Sequence, residues 1–118
     1  MKYGMKATDI ELTTSIDEYV GKKMAALDKV AAHFGEALSA HVEAGRTTRH
    51  HRSGDVFRVE IRIHVPGREL RAESVGKTLL EAMYKAQEDM RTELERHKEK
   101  SVDAKRRGGA ELKKMLRE

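Results

Sequence analysis

The stretch from Asp55 to Leu70 reads "DVFRVEIRIHVPGREL". Phe57, Val59, Ile61, Ile63 and Val65 fall on one parity, and Arg58, Glu60, Arg62 and His64 on the other. Successive side chains of a strand point to opposite faces, so this segment is a strand with one covered face and one wet face. That pattern belongs to antiparallel sheets. Pro66-Gly67 then supplies a turn, with glycine free to take positive φ. "RELRAESV", Arg68 to Val75, returns as the next strand with Leu70 and Ala72 on the covered face.

The same period of two runs upstream from Ala37 to Thr48, with Leu38, Ala40, Val42 and Ala44 on one face and Ser39, His41 and Glu43 on the other. Between these two strands "RTTRHHRSG", Arg46 to Gly54, reads as a cationic hairpin tip without an acid. Met1 to Ala7 alternates as a further strand, with Tyr3 and Met5 on one face. "LTTSIDEYV" opens a helix: Thr13 or Thr14 can cap it, and Asp17 and Glu18 suit its first turn. Ile16, Val20, Met24, Leu27 and Ala31 recur at spacings of three and four, and Gly35 suits the C-terminal cap. Residues 75–100 read as a long second helix, with Leu79, Met83, Ala86, Met90 and Leu94 as its apolar stripe.

The order is β-α-β-β-β-α. An α+β two-layer sandwich, a four-stranded sheet with two helices packed on one face, buries every one of these stripes. The first crossover makes strand one parallel to its partner, in the right-handed sense. Residues 1–101 form the domain, and 102–118 a basic tail, flexible or partly helical. Gly108-Gly109 should interrupt that tail before a short terminal helix in "AELKKMLRE".

At 118 residues the chain fits one domain, and its 38% hydrophobic fraction supports one modest core. The absence of cysteine excludes disulfides, thiolate zinc sites and a cysteine nucleophile. No signal-peptide core and no run of about 20 apolar residues is present, so a soluble cytoplasmic protein without a membrane contact is expected. The formal net charge is +4, and residues 105–118, with six basic and two acidic side chains, account for all of it. The placement of charges must therefore carry any argument for a polyanionic partner.

Paired carboxylates occur at Asp17-Glu18, Glu88-Asp89 and Glu93/Glu95, all on expected solvent faces of helices with no cleft to raise a pKa. Gly76-Lys77-Thr78 lacks the earlier glycine of a phosphate-binding loop. An enzyme is not expected. His50 and His51 are adjacent and point to opposite faces of an extended segment, so they do not chelate one ion. The cations fall in clusters: Lys22, Lys23 and Lys29 on the first helix, Arg46, Arg49 and Arg52 at the tip, and Lys85, Arg91, Arg96 and Lys98 on the second helix. Solvated ion pairs, as in the ladder Lys77, Glu81, Lys85, Asp89, are the plain explanation of such residues. RNA phosphates are the functional one, through counterion release. With two Phe, three Tyr and no Trp, shape rather than base stacking is the expected mode of recognition.

"MKATDIELTTSIDEYVGKKMAAL", "VEIRIHVPGRELRAES" and "LERHKEK", in this order and spacing, resemble the ribosome hibernation-promoting factor family. The same family is called ribosome-associated inhibitor or sigma-54 modulation protein. The likeness covers Met1 to about Lys100. It implies a translation inhibitor, without catalysis or cofactor. Such a protein sits in the messenger and transfer RNA channel of the small ribosomal subunit and contacts ribosomal RNA through basic side chains. By position, Lys22 and Lys23 match the family's basic stretch in the first helix, and Arg96 and Lys98 the one near the end of the second. Arg91 lies on that helix without matching a characteristic lysine. The usual opening of the second helix, Asp-Met-Tyr-Ala-Ala, is Thr78, Leu79, Leu80, Glu81 and Ala82 here, and Asp89 stands at a usual lysine. Residues 101–118 are too few for the dimerising domain of long members, so a short form, monomeric off the ribosome, is expected. The alternatives are a double-stranded-RNA-binding module of similar architecture and a regulatory protein-interaction domain.

Overall fold

The computed structural model describes residues 1–34, 38–47 and 56–117, the last seventeen of these by their backbone only. The elements are β1 (Lys2–Thr8), α1 (Thr14–Ala31), a 3-10 turn (Ala32–Phe34), β2 (Ser39–Arg46), β3 (Phe57–Val65), β4 (Arg68–Gly76) and α2 (Leu79–Arg117). The sheet order is β1-β2-β3-β4. β1 pairs parallel with β2, and the other two pairings are antiparallel. This is the α+β sandwich that the periodicities predict.

Thr13 caps α1, its Oγ1 accepting from the backbone N–H of Ile16 at 3.2 Å, and Asp17 lies in the first turn. Val20, Met24, Leu27 and Ala31 bury the inner face of α1, while Ile16 at its start is half-buried. The sheet meets them with Ala40, Val42 and Ala44 from β2, Val59, Ile61, Ile63 and Val65 from β3, and Leu70 and Ala72 from β4. Leu79, Ala82, Met83, Ala86, Met90 and Leu94 of α2 complete the core. The pairings Val42↔Ile61 and Ile61↔Ala72 hold these side chains in register on one face. The two helices run side by side in the same direction. The Tyr19 hydroxyl donates to the Leu80 carbonyl near their starts at 3.3 Å, and further along the Phe34 and His97 rings lie 5.2 Å apart.

Both boundaries of α2 differ from the sequence reading. β4 carries on to Gly76, so α2 starts at Leu79 rather than residue 75, with Thr78 Oγ1 accepting from the Glu81 N–H. α2 then continues unbroken to Arg117 through Gly108 and Gly109. Each glycine costs a helix only about 1 kcal/mol, and the residues around this pair are Ala, Glu, Leu, Lys and Arg, which favour the helix. Gly35 and the segment 48–55 lie outside the described residues, and with them the expected cap and the hairpin tip.

Gly76 marks the corner between β4 and α2. A Cβ there would lie 2.8 Å from the Ala82 backbone nitrogen and 3.1 Å from Glu81 Cβ. Because backbone cannot swing aside as a side chain does, Gly76→Ala is expected to cost about 1–3 kcal/mol, read as a lower urea midpoint.

The uncovered face of the sheet carries Lys6, Glu43, Glu60 and Glu73 in one row across the four strands. Like charges on neighbouring strands repel, so the row needs cations. Glu60, only 8% exposed, receives Arg58 at 2.9 Å, Arg62 at 3.2 Å and Arg71 at 2.7 Å. Arg58 also reaches Glu73 at 2.9 Å, and Arg71 binds Glu73 as well. The hydrogen bond from Arg58 holds the Glu73 carboxyl below its ordinary pKa, against the opposing effect of burial. A carboxylate with a depressed folded pKa stabilises above its unfolded pKa and loses that contribution as pH falls through the folded value. Thermal stability is therefore expected to hold down to about pH 5 and to fall below about pH 4. Glu73→Gln should flatten part of that acid limb in a melting series.

Candidate nucleic-acid interface

A helix turns 100° per residue, so the sheet-facing stripe of each helix fixes where its other residues lie. On α1, Tyr19, Lys23 and Val30 fall on the flank toward α2. Asp28 falls on the flank toward β1, where it binds the Met1 ammonium at 3.0 Å. Lys22 and Lys29, seven residues apart and both exposed, point away from the sheet. On α2, Tyr84, Arg91 and Lys98 repeat at seven and share the flank toward α1 with Leu80. All four are exposed.

Lys85 and Arg96 turn the other way. Lys85 reaches the Val75 carbonyl at 3.4 Å and pairs with Glu81 at 3.0 Å. Arg96 lies over an open hollow with Arg71, Glu73, Asp89 and Thr92, where α2 crosses β4, and meets Glu93 at 3.5 Å. The ten expected cations are thus distributed. Lys22, Lys23, Lys29, Arg91 and Lys98 line the outer side of the helix layer, and Lys85 and Arg96 lie along the β4 side. Arg46 stands at the base of the hairpin, its guanidinium 5.3 Å from the Phe57 ring centre. Arg49 and Arg52 lie outside the described residues.

On the outer side, Arg91 pairs with Glu88 at 3.1 Å. Among the described residues Lys22, Lys23, Lys29 and Lys98 have no ion pair. Lys23 is held differently, with Nζ 5.3 Å from the Tyr19 ring centre and 5.0 Å from that of Tyr84. Burial, and then the neighbouring Tyr84 phenol, raise the Tyr19 pKa, so the Tyr19 phenol stays neutral at pH 7. Neither Tyr19 nor Tyr84 is among the site residues that the sequence reading names. The local trace was the four-residue step from Tyr19 to Lys23; Tyr84 is 61 residues further along than Lys23 and could be paired with it only by helix packing.

The model of the family described as sigma 54 modulation protein / S30EA ribosomal protein matches residues 4–102. The chain belongs to that family. Its members are ribosome-associated factors rather than enzymes. Among solved structures, the N-terminal domain of Protein Y from Thermus thermophilus is 26% identical. It matches over 80% of this chain and 94% of that one, with a TM-score of 0.65. A ribosomal subunit interface protein from Coxiella burnetii is 14% identical over 83% of this chain and 98% of that one, with a TM-score of 0.64, and shares the fold. No curated protein sequence matches the chain. Among the described residues of this family member, no three His, Cys, Asp or Glu side chains are grouped as a metal site would need. No described helix is long and apolar enough to cross a membrane.

Proposed function

We propose that this family member is a cytoplasmic translation inhibitor that binds the small ribosomal subunit and occupies its messenger and transfer RNA channel. It would hold ribosomal RNA by phosphate contacts along the outer side of the helix layer. One observation carries this reading: Lys22, Lys23 and Lys29 stand there without ion pairs among the described residues, with Arg91 and Lys98 across the seam. A lysine already paired to a carboxylate gains little from a phosphate, whereas an unpaired one releases condensed counterions when it docks. The hairpin base, through Arg46, extends the cationic surface at the end of the molecule where both helices begin.

The test is co-sedimentation with purified small subunits across a salt series, with and without bound initiator transfer RNA. Salt-sensitive binding that the transfer RNA blocks is the expected result. Duplex RNA bound as tightly as subunits would favour a general double-stranded-RNA-binding module instead. No binding at any salt would remove the ribosome from the reading. In the same assay, alanine at Arg46, Arg49 and Arg52 together is expected to weaken binding and leave the melting curve unchanged. Unaltered affinity would take the tip out of the contact.

A further inference from the structure

We propose that Tyr19, Lys23 and Tyr84 form a stacking site for one unpaired RNA base, set in the seam between α1 and α2. The proposal rests on the RNA-binding reading above and adds a contact of different chemistry to it. Tyr84 is 51% exposed and Leu80, one turn before it, 47% exposed. Large apolar side chains grouped on a surface mark a binding site more often than chance placement. Here the group has a fixed form. The Tyr19 hydroxyl is tied to the Leu80 carbonyl at 3.3 Å. The Lys23 ammonium sits against both rings, at 5.3 and 5.0 Å from their centres. Cation–π attraction of this kind holds both partners in place without an acid.

Three features select a nucleobase over an apolar protein segment. The ammonium lies within the aromatic group, where it would oppose burial under a purely apolar partner but suits a base with a phosphate beside it. Lys22 stands one residue before Lys23, and Arg91 two turns along the same flank as Tyr84, so cations border the platform on both helices. Phenol rings accept any base by its π face, and such stacking adds affinity without adding a charge contact. A half-exposed tyrosine with a cation on one face still presents ring surface to solvent. The site would therefore grip a base splayed from a loop or strand, while the lysines hold the backbone around it.

The experiment measures equilibrium binding to small subunits for the wild-type chain, Tyr84→Leu and Tyr84→Phe at several salt concentrations. Leucine keeps the apolar bulk and removes the π face; phenylalanine keeps the π face. The expected result is a loss of about tenfold or more for Tyr84→Leu, near wild-type affinity for Tyr84→Phe, and the same log–log salt slope in all three. Equal affinity for Tyr84→Leu and wild type would overturn the stacking site while leaving the functional reading intact. A changed slope in Tyr84→Leu would overturn it too, because the loss would then be one of phosphate contact. Failure of the wild-type chain to bind subunits would overturn the functional reading and this site with it. A p-azidophenylalanine at position 84 separates the remaining occupants: attachment to RNA supports the proposal, and attachment to a ribosomal protein overturns it. Because Tyr84 lies outside the core, the urea midpoints of both variants should match wild type.

Discussion

Lys22→Ala, Lys29→Ala and Arg91→Ala combined are expected to lower affinity for the small subunit by about two orders of magnitude at physiological salt. Each phosphate contact adds a little under one unit to the log–log salt slope, which near 0.15 M corresponds to roughly fivefold in affinity. Three lost contacts should therefore reduce the slope by about two to three units and affinity by about a hundredfold. Folding should be untouched, because Lys22 and Lys29 are exposed without ion pairs among the described residues, and the Arg91–Glu88 pair is a half-exposed i,i+3 contact worth a few tenths of a kcal/mol. The informative comparison is Lys85→Ala with Arg96→Ala. Those side chains lie on the β4 side of α2, so the pair should change binding much less. A larger loss from Lys85 and Arg96 than from the triple variant would move the contact surface to the β4 edge.

A large stability effect is expected at Glu60. Its carboxylate is nearly buried and takes three guanidinium groups at 2.7 to 3.2 Å. Glu60→Ala leaves Arg58, Arg62 and Arg71 facing one another across β3 and β4 with no central anion. Removing one partner of a fully buried ion pair costs about 3–5 kcal/mol. These arginines are 30% to 55% exposed, so solvent screens part of that cost. The expected loss is about 2 kcal/mol, or about 10 °C in the melting midpoint for a domain of this size. Glu60→Gln keeps the shape and one acceptor and should lose less. Arg62→Ala removes a single contact from a guanidinium that is 42% exposed, and should lose least. A melting midpoint for Glu60→Ala equal to wild type would mean that Glu73 alone suffices to hold Arg58 and Arg71.

The two effects depend on different layers of the molecule. Glu60 lies on the uncovered sheet face, and the proposed RNA contacts lie on the outer side of the helices. Stability and subunit affinity should therefore separate cleanly among these variants. A variant at Glu60 that melts early yet binds as wild type at low temperature is the expected pattern.

Much of this architecture is legible in local sequence. The alternation from Phe57 to Val65 states which face is covered, Thr13 states where α1 begins, and the three-and-four spacing from Val20 to Ala31 states which side of α1 is buried. These are short-range properties, set by the period of each element and by backbone groups a few residues apart. The lysines of α1 could likewise be put on one face by counting. What the local sequence could not determine was how elements far apart in the chain meet. Glu43, Glu60 and Glu73 become one row only through strand register. Lys23 finds Tyr84 only because α1 and α2 pack in parallel. Arg91 and Lys98 separate from Lys85 and Arg96, the former on an outer flank and the latter on a β4 flank, only once the buried stripe is known to face both the sheet and α1. Gly108-Gly109 read as an interruption because glycine is weak in a helix, yet a helix continues when the gain over its neighbours outweighs a cost of about 1 kcal/mol at each glycine. Periodicity by itself determined the elements and their faces. Tertiary packing decided which faces met, because contacts between distant residues depend on register and helix direction, and neither is written in any single segment.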